Sequence, residues 1–179
     1  GDCTVVRLPD GSAAVVDAGG DPAGRFDPGG RIVLPFLRDM GVTRLAAVFV
    51  SHPHPDHLQG MPSVVSGMGG APLYAPPDRG DEAALSAFDR LPPARELAAG
   101  DEVVLDGVRF RALGPPRGSG LDGNDGSLVL LVTYGATSFL LPGDGMPRRL
   151  RATAPPFGLA PDRAIEGAEV AWARDRDLL

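Results

Sequence analysis

The sequence predicts an α/β fold in a single domain. Short β-prone runs rich in valine, leucine and alanine alternate with segments in which apolar residues follow helical spacing. The 179 residues, 43% of them hydrophobic, are enough to bury one sizeable core without a division into two domains. No apolar run approaches the roughly 18 to 20 residues of a membrane-spanning helix. We therefore expect one soluble α/β unit.

The individual strands are predicted from turn signals and apolar runs. Pro9-Asp10-Gly11-Ser12, Asp106-Gly107 and Gly135-Ala136 lie between β-prone runs, so each predicts a hairpin. The apolar run at residues 46–50 shows no alternation, which is typical of a strand buried on both faces. The predicted strands are residues 3–8, 13–17, 46–50, 73–75, 102–105, 108–113, 127–134 and 138–141, and the predicted helices are residues 32–40, 58–68 and 81–91.

The residues suited to metal chemistry are concentrated directly after the buried strand. All three histidines of the chain, His52, His54 and His57, lie within six residues together with Asp56. Imidazole and carboxylate groups are ligands that zinc accepts, and a tight loop can direct several of them to one place. Alternation predicts that His52 and His54 share one metal, while Asp56 and His57 point to a second position. A solvated turn is the alternative, but four potential ligands in six residues favour a metal site.

This cluster resembles a known family signature. Ser-His-Pro-His-Pro-Asp-His at residues 51–57 is similar to the His-x-His-x-Asp-His motif of metallo-β-lactamase-fold hydrolases, and Asp17-Ala18-Gly19 and Pro142-Gly143-Asp144 are similar to two other acidic strand ends of that fold. Within the family, the soluble hydrolase-like domain of the competence protein ComEC is the most similar, through Gly1-Asp2-Cys3 and residues 27–37 and 124–130. The resemblance covers roughly residues 1 to 145 and implies a four-layer αββα sandwich.

The resemblance also implies a role for each matched residue. His52 and His54 are implied as ligands of one metal ion, and Asp56 and His57 as ligands of the other. Asp144 is implied as a carboxylate that bridges the two ions. Asp56 would also hold or orient the attacking water, which makes it the implied catalytic residue. The implied cofactor is one or two zinc ions, with manganese as the alternative.

Asp17 is implied to support this site without touching metal, although Asp17 and Asp144 are each also ordinary residues for a turn. Most of the superfamily supplies two further histidines, one before the last hairpin and one after the Gly-Asp strand, and this chain has neither. Asn124 or Asp125 is a candidate replacement for the first, although turn chemistry explains both equally well. Nothing after residue 145 replaces the second, so we expect the second metal to bind weakly or not at all.

Residues 146–179 break with the pattern of the preceding chain. Arg148, Arg149 and Arg151 crowd together, prolines interrupt the apolar spacing, and only residues 165–172 suggest an element. We therefore divide the chain into a metallo-β-lactamase-like domain at residues 1–145 and a divergent or truncated C-terminal segment of the same domain at residues 146–179. This division predicts that the sandwich is incomplete, with an irregular region after about Pro147 and apolar surface left exposed.

Metal-dependent hydrolysis is the reaction class that the histidine and aspartate cluster predicts. The ComEC resemblance implies a phosphodiesterase or nuclease-like activity on DNA, with single-stranded DNA or another phosphodiester as the partner, in a soluble domain on the extracytoplasmic side of the bacterial inner membrane. The net charge of −6 argues against a broad basic face, although a bound metal can still meet phosphates. Two alternatives remain: a hydrolase of a small thioester or lactone, and a degenerate non-catalytic binding module, which the missing histidines favour.

Overall fold

The computed structural model describes residues 2–21, 23–77, 88–121 and 123–145. Over these residues the strands are β1 (Thr4–Arg7), β2 (Ala13–Val16), β3 (Leu45–Phe49), β4 (Leu73–Ala75), β5 (Ala94–Glu96), β6 (Glu102–Leu105), β7 (Val108–Gly114), β8 (Val129–Tyr134) and β9 (Thr137–Leu141). The helical segments are a π-helical turn (Gly29–Val33) that continues as α1 (Leu34–Asp39), then α2 (Pro55–Leu58) and α3 (Met61–Gly67).

The strands form two sheets. The first sheet has the order β1-β2-β3-β4-β5, with β1 antiparallel to β2 and all other neighbours parallel. The second sheet is an antiparallel meander in the order β6-β7-β8-β9. Asp106 and Gly107, in the turn between β6 and β7, have positive φ angles of 46° and 80°, as a type I′ turn requires. The three hairpins predicted from sequence are therefore confirmed.

The central strands β2 and β3 of the first sheet are buried on both faces, which explains their unbroken apolar runs. Successive side chains of a strand point to opposite faces, so Val15 and Val48 pack with the helices while Val16 and Phe49 face the second sheet. The ring of Phe49 stacks on the ring of Phe110 in β7, with their centroids 4.9 Å apart. This inter-sheet core also contains residues from other strands and loops, among them Leu8, Ala14, Ala47, Leu97, Val108, Ala112, Leu128, Leu130 and Val132.

The described residues therefore form three layers of the expected αββα sandwich: helices, first sheet and second sheet. The outer face of the second sheet carries exposed apolar side chains, such as Val104 and Leu140, which are 55% and 38% exposed. The fourth layer is an expectation from sequence that the described residues do not test, and the predictions made for residues 146–179 also lie outside the described residues. In the part of the chain that the structure describes, none of the helices has the length and apolar character needed to cross a membrane.

The predicted helix at residues 58–68 is wrong in its extent. The chain is already helical from Pro55, and α2 ends at Leu58 before α3 begins at Met61. Pro62 explains the break, because it has no N–H to donate to the carbonyl of Leu58 and its ring would collide with that carbonyl in a continuous helix. The short strand β5, which follows Pro92 and Pro93, was not predicted, and most of the helix predicted at residues 81–91 lies outside the described residues.

Candidate metal centre

The predicted site residues lie at one end of the two sheets, where several strands terminate. Asp17 directly follows β2, Ser51 and His52 lie just beyond β3, and Asp144 lies beyond β9 in the other sheet. A backbone hydrogen bond ties the two sheets together at this end, donated by the N–H of Leu128 to the carbonyl of Ser51 at 2.7 Å. The site is therefore assembled from both sheets.

Asp17 is the most deeply buried acidic residue of the site. It is 2% exposed and has a φ angle of 57°, in the left-handed region that aspartate tolerates better than most residues. Its Oδ1 accepts the backbone N–H of Ser51 at 2.7 Å, and its Oδ2 lies 2.6 Å from the Ser51 hydroxyl and 2.8 Å from Nδ1 of His57. Burial raises the pKa of Asp17, and the hydrogen bonds from His57 and Ser51 only partly oppose this effect.

His57 is oriented by Asp17. Because its Nδ1 donates to that carboxylate, its Nε2 faces the other side of the ring, 3.4 Å from Oδ1 of Asp144 and 3.7 Å from Oδ2 of Asp56. Burial works to lower the pKa of His57, but the hydrogen bond with Asp17 and the charges of Asp17, Asp144 and Asp56 outweigh burial and raise it. A carboxylate on Nδ1 of a histidine whose Nε2 is free is the usual support of a metal ligand.

His52 is completely buried, with 0% exposure. Its Nδ1 lies 3.0 Å from the Ser51 hydroxyl, whereas its Nε2 has no hydrogen-bond partner in the part of the chain that the structure describes and lies 3.9 Å from Oδ2 of Asp144. Burial, together with the neighbouring imidazoles of His57 and His54, lowers the pKa of His52 to about 3. The ring is therefore neutral near pH 7, with a ring nitrogen that no group of the described residues satisfies.

These donors fit a divalent metal ion. Ligand atoms of His52, His57 and Asp144 all lie within 4.8 Å of one another. In a tetrahedral zinc site with ligands at about 2.0 to 2.1 Å, neighbouring donor atoms are separated by about 3.4 Å, which is close to the 3.4 Å between His57 Nε2 and Asp144 Oδ1. A metal ion would also satisfy Nε2 of His52 and so remove the cost of an unpaired buried acceptor.

The other sequence-predicted residues surround this group. His54 is exposed and occupies the N-cap position of α2. Its ring contacts the ring of His52 edge-on, with their centroids 4.6 Å apart. Asp56 is in the first turn of α2, with 39% of its side chain exposed. Asn124 and Asp125 are exposed, and the three-residue group of His52, His57 and Asp144 does not include them. The assignment of all five predicted ligands to metal stays a prediction.

Two glycines permit the close packing of the segments that carry the site. A Cβ on Gly20 would overlap the carbonyl oxygen of Pro55, so only glycine lets the loop after Asp17 lie against the start of α2. Gly143 has a φ of 54°, and a Cβ there would lie 2.8 Å from the Cβ of Ser51. The absence of both side chains allows Asp17, α2 and Asp144 to converge.

Ser51 is the residue that the sequence-based reasoning missed. It precedes the histidine cluster and is 1% exposed, and its hydroxyl lies between Asp17 and His52. The only available signal was its position in the Ser-His-Pro-His motif, because its partner Asp17 is 34 residues away in the sequence.

Comparisons with known proteins agree with this architecture. The sequence profile described as the metallo-β-lactamase superfamily matches residues 1–178. Among curated proteins, none matches the chain. Solved structures with a similar fold include a metallo-β-lactamase with a HARLDQ motif from Cronobacter sakazakii (17% identity, TM-score 0.55, covering 77% of this chain and 56% of that one) and the MIM-2 metallo-β-lactamase (24% identity, TM-score 0.55, covering 77% and 52%).

A third similar structure is the metallo-β-lactamase MEM-A1 from a soil metagenome library, with 18% identity and a TM-score of 0.53, covering 77% of this chain and 54% of that one. The chain thus spans about half the length of the solved structures that it matches. At these identities the structural similarity establishes the fold alone. Because the superfamily profile extends over nearly all of the sequence, the chain belongs to the metallo-β-lactamase superfamily.

Proposed function

We propose that the chain is a metal-dependent hydrolase whose strongest metal position lies among His52, His57 and Asp144. The observation that carries the proposal is Nε2 of His52, which is buried, has no hydrogen-bond partner among the described residues and lies beside the carboxylate of Asp144. A folded domain rarely keeps such a group without a reason, because each unsatisfied buried acceptor costs roughly 1 to 3 kcal/mol. A ligand role for His52 explains why this cost is tolerated.

A divalent ion such as zinc, when bound, supplies hydroxide near neutral pH and polarises the bond under attack. Asp17 holds His57 with Nε2 directed at Asp144, and the carboxylate of Asp144 offers one oxygen to each imidazole. Asp56 lies at the solvent side of the group with its side chain partly exposed. We assign to Asp56 the orientation of the attacking water and the acceptance of its proton.

The substrate that we propose is a phosphodiester, with single-stranded DNA as the favoured form. Support comes from the ComEC-like motifs, which include the Asn124 to Ser127 stretch beside the site. His54 borders the loop at Gly123, since a Cβ on Gly123 would lie 3.6 Å from Nε2 of His54. A substrate approaching Asp56 therefore meets His54 and this loop. The similar solved structures are named as β-lactamases, so a β-lactam is the comparison substrate.

The test combines metal analysis with turnover. We expect the zinc-loaded or manganese-loaded protein to hydrolyse bis(p-nitrophenyl) phosphate and single-stranded DNA, and to be slower on a chromogenic cephalosporin, a thioester and a lactone. Asp56→Asn should retain the metal ion among His52, His57 and Asp144 but lose most turnover. Bound metal with no turnover on any of these substrates would instead identify a non-catalytic module, and a failure to bind metal after reconstitution would overturn the proposal.

A further inference from the structure

The hydroxyl of Ser51 connects the two buried histidines of the site to the same carboxylate. It lies 2.6 Å from Oδ2 of Asp17 and 3.0 Å from Nδ1 of His52, and both of these neighbours are buried. Oδ2 of Asp17 also lies 2.8 Å from Nδ1 of His57. The two imidazoles therefore share one anchor, directly in the case of His57 and through one hydroxyl in the case of His52.

The positions of the protons follow from counting donors. The Asp17 carboxylate only accepts, so the Ser51 hydroxyl must donate its single proton to Asp17. With that proton committed, the Ser51 oxygen can meet Nδ1 of His52 only as an acceptor. His52 consequently carries its proton on Nδ1 and leaves Nε2 unprotonated, in agreement with its position opposite Asp144 and its lack of a protein partner.

We propose that Ser51 is a positioning residue that extends the effect of Asp17 to His52, so that one buried carboxylate directs Nε2 of both His52 and His57 toward a metal ion beside Asp144. This inference rests on the proposed metal-dependent function. Groups that support metal ligands in this way typically affect metal affinity by about 10- to 100-fold.

Ser127 offers a matched control for Ser51. Both serines are almost fully buried at this end of the sheets, with exposures of 1% for Ser51 and 2% for Ser127. Within residues 2–21, 23–77, 88–121 and 123–145, the hydroxyl of Ser127 has no hydrogen-bond partner. Ser51→Ala and Ser127→Ala therefore make the same chemical change at neighbouring buried positions, but only the first removes a link between Asp17 and an imidazole.

The experiment compares wild type, Ser51→Ala, Ser51→Thr and Ser127→Ala in two measurements. The first is the tautomer of His52 in the metal-free full chain, from nitrogen-15 chemical shifts of the ring. We expect the Nδ1–H form in wild type, Ser51→Thr and Ser127→Ala, and a shift toward Nε2–H in Ser51→Ala. An Nε2–H tautomer in the wild-type protein would overturn the proposal without any variant, so the result does not depend on whether a variant folds.

The second measurement is zinc affinity by competition with a chromophoric chelator. Ser51→Ala should bind zinc about 10- to 100-fold more weakly than wild type, and Ser51→Thr should recover most of that loss because it keeps the hydroxyl. Equal affinities for Ser51→Ala and Ser127→Ala would contradict the positioning role. If wild type binds no zinc, the proposed hydrolase function fails, while the tautomer measurement still decides whether Ser51 directs His52.

Discussion

Replacing His52 by leucine should separate the stability of the fold from the stability of the metal site. In the metal-free protein, His52→Leu removes a buried acceptor without a partner, which is worth about 1 to 3 kcal/mol, and loses one hydrogen bond to Ser51, worth about 1 kcal/mol. The Ser51 hydroxyl is not left unpaired, because Asp17 still accepts its proton. The free energy of unfolding of the metal-free variant should therefore change by about 0 to +2 kcal/mol.

Zinc should reverse the order of stability of wild type and His52→Leu. At a free zinc concentration 100 times the dissociation constant, binding adds about 2.7 kcal/mol to wild type, which corresponds to a rise of roughly 5 to 11 °C in Tm for a domain of this size. His52→Leu should gain little or nothing, because it lacks a ligand. Wild type should thus melt below or level with the variant without metal, and above it with zinc.

The measurement is thermal unfolding by circular dichroism, with a chelator and then with buffered zinc. Ser127→Ala is the control, since it also removes a buried hydrogen-bonding atom without a partner but is not a predicted ligand, and it should keep the full zinc-induced rise in Tm. The reasoning is refuted if metal-free His52→Leu is clearly less stable than metal-free wild type, because the two opposing effects together give a change of about 0 to +2 kcal/mol. A zinc-induced rise in the variant equal to that of wild type would also refute it.

Four further predictions concern the same site. Calorimetric titration should find one zinc ion bound more tightly than any second, and two equally tight ions would contradict the three-residue group of His52, His57 and Asp144. His54→Ala should lower metal content or turnover yet change the free energy of unfolding in urea by less than about 0.5 kcal/mol, because His54 is exposed; unchanged metal content together with unchanged turnover would remove His54 from the site. Gly20→Ala should lower the free energy of unfolding by about 1 to 3 kcal/mol through overpacking, and it should weaken zinc binding by displacing α2. Gly11→Ala, in a turn with open space around it, should leave zinc affinity unchanged. Zinc affinity should be measured from pH 5 to 8. It should fall as the pH drops through the raised pKa of His57, because a proton on Nε2 then competes with the metal. A zinc affinity that does not change with pH would argue against His57 as a ligand.

The backbone layout was predictable where local chemistry decides it. The run at residues 46–50 lacks alternation because β3 contacts helices through Val48 and the second sheet through Phe49. The turn at Asp106 and Gly107 was identified because few residue pairs accept two positive φ angles. In both cases a few consecutive residues carry the information, so no tertiary contact had to be known in advance.

The spatial neighbours of His57 could not be predicted from local sequence in the same way. Alternation predicts that His52 and His54 share one metal and that Asp56 and His57 point to a second position. The rings of His52 and His54 do lie close together, with centroids 4.6 Å apart, but α2 begins at Pro55 and turns the chain back. His57 consequently lies near His52, with the ring centroids 4.2 Å apart, and near Asp144 from the other sheet. Contacts between residues as distant in sequence as His57 and Asp144 depend on the packing of both sheets, which no local pattern encodes.

The origin of the ligands in two sheets links metal binding to the inter-sheet core. His52 and His57 follow β3, whereas Asp144 follows β9. Nε2 of His57 and Oδ1 of Asp144 therefore lie 3.4 Å apart only while the sheets are packed together. Stacking of Phe49 on Phe110 and the hydrogen bond from Leu128 to Ser51 maintain that packing. An ion shared by His57 and Asp144 would act as a cross-link between the sheets, because its ligands come from both of them. It would stabilise the folded state, because it binds the folded state only. Substitutions in the inter-sheet core should therefore weaken metal binding even at positions far from the ligands, and metal should in turn protect that core against unfolding.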